Sequence, residues 1–237
     1  MKAIIMAAGL GTRLRPLTEN LPKVLVEIND KPLLSYHLEA LSKIGIKELI
    51  INSHYLADQI ELFIANNGFG MKVLVSFEPE LLGSAGTLKQ HQDFLAGDDF
   101  LIVYGDNLTN IDYQRLISYH KVKGGLATMA CYFEQNPSEK GVVELAEDNR
   151  IIKMVEKPGC GTPASWSNGG IYVFKPEVLT LLSETIAIPY DLAKDLMKQS
   201  FFTEHSIYAY LMDEYLLDIG NLDSLAKAQA EVKDLKF

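Results

Sequence analysis

In the first half of the chain, short apolar runs alternate with apolar stripes at helical spacing. Ala3–Ala7 reads as a buried strand, and Leu34, Leu38, Leu41 and Ile44 recur at helical intervals until Gly45 stops them. Glu48–Asn52 predicts the next strand. Tyr55, Gln59–Ile60 and Phe63–Ile64 mark a second helix ending near Asn66–Gly68, and Lys72–Phe77 alternates as a third strand. Ser84–Phe94 predicts a third helix. Asp99–Tyr104 carries Leu101, Ile102 and Val103 in succession, the pattern of a parallel strand buried on both faces. Four β–α units in about 120 residues imply an α/β fold with a doubly wound, mostly parallel sheet, whose ligand should lie beyond the carboxyl ends of its strands.

The second half changes regime, because strand-like pieces follow one another directly. Leu126–Phe133, Val142–Leu145, Ile151–Val155 and Gly170–Phe174 are separated by turn signals at Asn136-Pro137, Glu147-Asp148-Asn149 and Lys157-Pro158-Gly159. Helices are predicted near Pro176–Leu182, Pro189–Lys198 and Leu222–Val232. The expected architecture is therefore a Rossmann-like sheet extended by a mixed or antiparallel substrate-binding lobe. No Pro-, Gly- or Ser-rich linker divides the halves, so residues 1–237 are expected to form a single domain with two portions, 1–120 and 121–237. There are no internal repeats, and no hexapeptide run that would build an appended β-helix.

Composition narrows the chemistry. Among 237 residues, 48% are hydrophobic and 22% charged, the make-up of an ordinary globule. The apolar run at the start is far short of the ~20 residues of a spanning helix, so no membrane partner and a cytoplasmic location are expected. A net charge of −9 argues against nucleic acid as a partner. Residues 1–31 nevertheless carry +2 and the remainder −11, a local basic start that suits a small anionic ligand. Cys131 and Cys160 form no motif, the five histidines show no metal-ligand spacing, and Trp166 either stacks on a sugar face or packs.

The richest stretch is Ala7-Ala8-Gly9-Leu10-Gly11-Thr12-Arg13-Leu14-Arg15-Pro16-Leu17-Thr18, followed by Leu21-Pro22-Lys23. Glycines directly after a buried strand let the backbone approach an anion, and inward N–H groups form a phosphate nest with two cations close behind. A lone Gly-x-Gly equally describes a plain turn. The dinucleotide fingerprint fails because Leu14 stands where its last glycine would, and the Gly-Lys-Ser/Thr of a P-loop is absent.

Over its full length this stretch resembles the signature of sugar-1-phosphate nucleotidyltransferases, including mannose-1-phosphate guanylyltransferase-like and heptose-1-phosphate enzymes. The family usually has two glycines where this chain has Ala8-Gly9. The resemblance implies a nucleoside triphosphate on Ala8, Gly9, Gly11 and Thr12, with Arg13 and Lys23 as catalytic cations on its phosphates. Four further pieces match in chain order. Glu78-Pro79-Glu80-Leu81-Leu82-Gly83-Ser84-Ala85-Gly86-Thr87 resembles the base-reading loop, which implies Glu78, Gly83, Ala85 and Gly86 as nucleotide-binding residues; Ser84 also reads as a helix N-cap. Tyr104-Gly105-Asp106-Asn107 and Leu217-Asp218-Ile219-Gly220 resemble the two metal segments, implying Asp106 and Asp218 as Mg²⁺ ligands and Asn107 as a sugar-phosphate contact. Val155-Glu156-Lys157-Pro158 resembles the sugar-phosphate clamp, flanked by Gly141 and Asn168, with Lys157 on the phosphate and Glu156 on sugar hydroxyls.

The implied reaction is attack by a sugar 1-phosphate on the α-phosphorus of an NTP, with Mg²⁺ as cofactor and pyrophosphate as leaving group. An ionised carboxylate accepts hydrogen bonds only, so Glu78 at a base edge suits the paired donors of guanine and points to GTP with mannose or heptose 1-phosphate. UTP or dTTP is the alternative, since Glu78 could face solvent and leave base reading to the Gly83–Gly86 backbone. A nucleotide-sugar-dependent glycosyltransferase is less consistent, because Gly-Asp-Asn-Leu replaces Asp-x-Asp. A non-catalytic sensor would be expected to lose the aspartates and loop cations kept here. Monomer and homodimer both remain open.

Overall fold

The computed structural model describes residues 1–182 and 187–237. In chain order its strands are β1 (Lys2–Met6), β2 (Glu27–Ile28), β3 (Lys31–Pro32), β4 (Glu48–Ser53), β5 (Lys72–Phe77), β6 (Phe100–Tyr104), β7 (Asn107–Thr109), β8 (Ala127–Glu134), β9 (Gly141–Leu145), β10 (Ile151–Glu156), β11 (Ser165–Phe174), β12 (Ile207–Leu211) and β13 (Leu216–Asp218). Its helices are α1 (Leu33–Lys43), α2 (Ala57–Asn66), α3 (Ser84–Gln90), α4 (Gln92–Leu95), α5 (Tyr113–Lys123), α6 (Gln199–Glu204) and α7 (Leu222–Glu231). The fold is mixed α/β, as the two regimes of the sequence predict.

The chain divides into two compact units. Unit I comprises Lys2–Leu81, Val103–Tyr113 and Glu214–Phe237, and unit II comprises Leu82–Ile102 and Gln114–Asp213 together with Met1. In unit I, β4 runs parallel to both β1 and β5, with Met6 opposite Asn52 and Asn52 opposite Ser76. Ala3, Ile4 and Ile5 of β1 and Ile50 and Ile51 of β4 are fully buried, which is why these strands read as unbroken apolar runs. The α1 stripe Leu34, Leu38 and Leu41 is fully buried too, and Gly45 stops the helix in the left-handed region at φ +84°. Leu14, Val26, Ile28, Leu108, Ile219 and Leu225 form one apolar cluster drawn from both ends of the chain. Asn221 starts α7 with a capping box closed by Ser224.

Unit II is dominated by antiparallel pairing. β8 pairs antiparallel with β11, which brings Trp166 opposite Phe133, and parallel with β12; β9 lies between β10 and β11. Tyr172 and Phe174 are fully buried, and Phe100 stacks on Phe174 at 5.8 Å between ring centroids.

The structure departs from the sequence reading in several places: α5, β7 and β13 were not predicted, and the helix expected near Pro176–Leu182 is a 3-10 helix over Pro176–Leu181. The single helix expected over Ser84–Phe94 is broken at His91, whose N–H is shared between the Thr87 and Leu88 carbonyls. Ser84 is not the N-cap: Gly83 is, at φ +77°, and the Ser84 hydroxyl bonds elsewhere. The helix expected near Pro189–Lys198 is a π-turn over Leu192–Leu196, whose first amides at Ala193 and Lys194 are held by the Asp191 carboxylate. Among the described residues no helix is long and apolar enough to cross a membrane.

Candidate active site

In unit I, β1 ends at Met6 and the chain enters the glycine-rich loop. Ala8 is buried and Gly9 exposed. Gly11 stands at φ +62°, where a Cβ would lie 3.1 Å from Thr18 Cγ2 and 3.2 Å from Lys23 Cβ, so both conformation and space require glycine. The Gly11 carbonyl accepts from the Thr18 hydroxyl at 2.7 Å and the Leu14 N–H at 2.9 Å. Thr18, 1% exposed, was not singled out in the sequence, yet it is the post around which the loop folds.

This folding delivers Lys23, the first residue of a short 3-10 turn after Pro22, to the carboxyl end of β6. Its ammonium lies 2.5 Å from Asp106 Oδ2 and 3.8 Å from Asp218 Oδ1. Asp106 sits between β6 and β7, and the antiparallel pairing of β13 with β7 places Asp218 opposite Asn107. The Ile219 N–H donating to the Asp106 carbonyl at 2.9 Å fixes that juxtaposition. Arg13 shares the space left open by Gly220, where a Cβ would lie 3.1 Å from Arg13 Nη2 and 3.3 Å from Asp218 Oδ1. Met6, Ala7, Gly9, Lys23, Val24 and Asp106 line a pocket of about 30 Å³. Residues 210 positions apart in sequence, Ala8 and Asp218, therefore belong to one unit with both cations.

The two carboxylates fit a hard divalent cation. Among the described residues no group of three or more His, Cys, Asp or Glu could hold a metal by protein ligands alone. Mg²⁺ is ordinarily held by one or two carboxylates plus substrate phosphates, and Asp106 and Asp218, already converging on one ammonium, are such a pair.

Glu78, expected at a base edge, is 1% exposed. Its Oε1 accepts from Asn52 Nδ2 at 2.9 Å, and its own N–H donates to the Ser53 carbonyl at 2.7 Å. Asn107 is likewise buried, within β7.

Unit II holds the remaining expected residues. The N–H groups of Ala85 and Gly86, expected to meet the nucleotide, both donate to the Tyr190 carbonyl, at 2.9 and 3.0 Å. A Cβ on Gly83 would lie 2.7 Å from the Tyr190 carbonyl carbon, so Gly83 is required by packing against this segment. The Ser84 hydroxyl donates to Asp191 Oδ2 at 3.0 Å and accepts from the Leu192 N–H at 2.9 Å. Tyr190 and Asp191 carried no motif in the sequence.

Gly141, Glu156 and Asn168 do come together. The β9–β10 register sets Gly141 opposite Glu156, and a Cβ on Gly141 would lie 2.7 Å from Glu156 Oε2 and 3.4 Å from Asn168 Cβ. Asn168 is locked by the Tyr172 hydroxyl at 2.6 Å and by the Gly170 N–H at 2.9 Å. Burial raises the Glu156 carboxyl above its ordinary pKa, reinforced by Asp191 and opposed by Lys157, Lys194 and Lys140. Lys157, at φ +48°, stands 54% exposed with its ammonium 3.6 Å from Glu139 Oε2.

A model of the family described as nucleotidyl transferase matches residues 2–234. The chain is 34% identical to UTP–glucose-1-phosphate uridylyltransferase of Synechocystis, over 94% of this chain and 61% of that protein. It is 31% identical to the mannose-1-phosphate guanylyltransferase catalytic subunit beta of Dictyostelium discoideum, over 93% and 61%. It thus spans about three-fifths of the length of these relatives. Among solved structures, HddC from Yersinia pseudotuberculosis complexed with GMP-PN superposes with a TM-score of 0.80 at 25% identity, covering 98% of this chain and 99% of that one.

Proposed function

Because the chain belongs to the nucleotidyl transferase family, we propose that it transfers a nucleotidyl group from an NTP to a sugar 1-phosphate, releasing pyrophosphate. The observation that carries this reading is the Lys23 ammonium set between Asp106 and Asp218 beside a glycine-rich loop. A phosphate monoester with a second pKa of about 6 is already ionised at neutral pH, so the attacking oxygen needs no general base. Its bond to the α-phosphorus forms as the α–β bridging bond breaks, and the electron pair leaves with pyrophosphate. Arg13 and Lys23 offset the charge that builds on the leaving group. Lys157 holds the attacking phosphate, while Glu156, Asn168 and Gly141 shape the place of the sugar. Asp106 and Asp218 would hold Mg²⁺, which would supply charge neutralisation at the phosphate oxygens.

GTP with mannose or heptose 1-phosphate is the first pair to try. Support comes from guanylyltransferase relatives such as that of Dictyostelium and from the GMP-PN complex of HddC. UTP or dTTP is the second reading, favoured by the uridylyltransferase of Synechocystis. The test is pyrophosphate release from GTP, UTP, dTTP, CTP and ATP against a panel of sugar 1-phosphates, with and without EDTA. Turnover with one sugar 1-phosphate, abolished by EDTA and by Asp106→Asn or Asp218→Asn, is expected. Full turnover in EDTA would exclude the metal role, and no pyrophosphate from any pair would exclude the reaction.

A further inference from the structure

The carboxyl ends of β1, β4 and β5 are tied by one buried side chain. The ladder between β1 and β4 closes at Met6 opposite Asn52, so the next amide, Ala7 N–H, lies beyond it at a site only 8% exposed. A buried amide left without an acceptor would be costly. The Asn52 Oδ1 takes it at 2.6 Å. The same carboxamide donates through Nδ2 to Glu78 Oε1 at 2.9 Å, so the carboxylate fixes which end of Asn52 faces Ala7. Glu78 is itself pinned at both backbone ends, its N–H to Ser53 O and its carbonyl to His54 Nδ1, each at 2.7 Å. One residue earlier, Met6 O accepts from Gly105 N–H at 2.9 Å, which holds the exit of β1 from its other side.

We propose that Asn52 is a positioning residue for the nucleotide: its carboxamide, oriented by Glu78, sets the direction in which Ala8-Gly9-Leu10-Gly11 leaves β1, and Glu78 serves that orientation rather than reading the base. This rests on the nucleotide-binding role proposed above for that loop. The polarity of the relay makes it testable. In Asn52→Asp a carboxylate replaces the donor facing Glu78, and two like charges meet where a hydrogen bond stood. In Asn52→Asp/Glu78→Gln the relay is rebuilt with its charge moved by one residue, since Asp accepts from both Ala7 N–H and the Gln amide. Glu78→Gln alone keeps an acceptor for Asn52.

The experiment measures KM for NTP and sugar 1-phosphate, kcat, GTP and UTP affinity by calorimetry, and melting temperature for the wild type and these three variants. Asn52→Asp should raise NTP KM and Kd about tenfold or more with sugar-phosphate KM little changed, and the double variant should return both to within about threefold of wild type. Glu78→Gln should leave the GTP-to-UTP preference within twofold. Wild-type NTP affinity in folded Asn52→Asp, no recovery in a folded double variant, or a fivefold change of base preference in Glu78→Gln would each overturn the proposal. If Asn52→Asp does not fold, Glu78→Gln and the double variant still decide it. A wild-type chain that binds neither nucleotide would overturn the underlying reading as well, an outcome visible without any variant.

Discussion

Replacing Lys23 by alanine removes a cation that two carboxylates share. The ammonium is 2.5 Å from Asp106 Oδ2 and 3.8 Å from Asp218 Oδ1, and the lysine side chain is only 10% exposed. Breaking a fully buried pair by deleting one partner costs about 3–5 kcal/mol, but these aspartates are 34% and 29% exposed, so water recovers part of the loss and about 1–3 kcal/mol is expected. For a chain of this size that corresponds to a melting temperature lower by about 3–10 °C. The kinetic effect should be larger, a fall in kcat/KM of about 10²–10³-fold, because a preorganised charge is lost where charge develops. Mg²⁺ gives an independent readout: freed of the ammonium, the carboxylate pair should let Mg²⁺ raise the melting temperature of Lys23→Ala more than that of the wild type. Thermal melts with and without Mg²⁺, beside a pyrophosphate-release assay, measure all three effects. A folded Lys23→Ala protein with near wild-type turnover and an unchanged Mg²⁺ response would refute the reasoning.

Gly220→Ala sets a methyl 3.1 Å from Arg13 Nη2 and 3.3 Å from Asp218 Oδ1, so NTP KM should rise several-fold while the melting temperature barely moves; an unchanged KM would show that Arg13 does not use that space. Lys157→Ala, at an exposed position, should cost less than about 0.5 kcal/mol of stability and raise the sugar 1-phosphate KM selectively, which a two-substrate kinetic matrix checks. His37 is buried and its pKa is lowered to about 4 by burial, against the nearby Asp106 carboxylate and the backbone of Gly105 and Asn107. The unfolded chain therefore binds the extra proton first, stability falls as pH drops from about 6.5 to about 4, and His37→Gln should flatten that arm of a urea-melt pH profile.

The elements that were legible are those whose burial is aliphatic and regular. Leu101, Ile102 and Val103 announce β6 because both its faces are covered, and the α1 stripe is uniformly leucine. Helix α5 escaped because its buried face is Tyr113, Leu116 and His120, a helical spacing written in residues that do not look apolar as a set. β7 and β13 are three residues each, too short for a period, and exist because each completes the other. In the site, the loop cations and both aspartates were legible through motif order. Asn52 and Tyr190 were not: an asparagine at a strand end reads as a turn, and a backbone carbonyl that captures two amides leaves no trace in residue type. The same physics hid the burial of Glu78, whose partner is 26 residues away.

The path of the chain between its two units bears on how the protein is made. Beyond Met1 it crosses at 81/82, 102/103, 113/114 and 213/214, so neither unit is a contiguous stretch that a ribosome could deliver whole. Unit I begins with the phosphate loop but waits for its last segment, which supplies Asp218 and α7, whose Gln229 clasps Asn29 N–H and Glu27 O near the other end of the sequence. During synthesis the loop and its lysine therefore emerge long before their second carboxylate, and the contact of Lys23 with Asp218 closes only after unit II has been translated. A nascent chain arrested at residue 213 would hold every residue of unit II and still lack this closure.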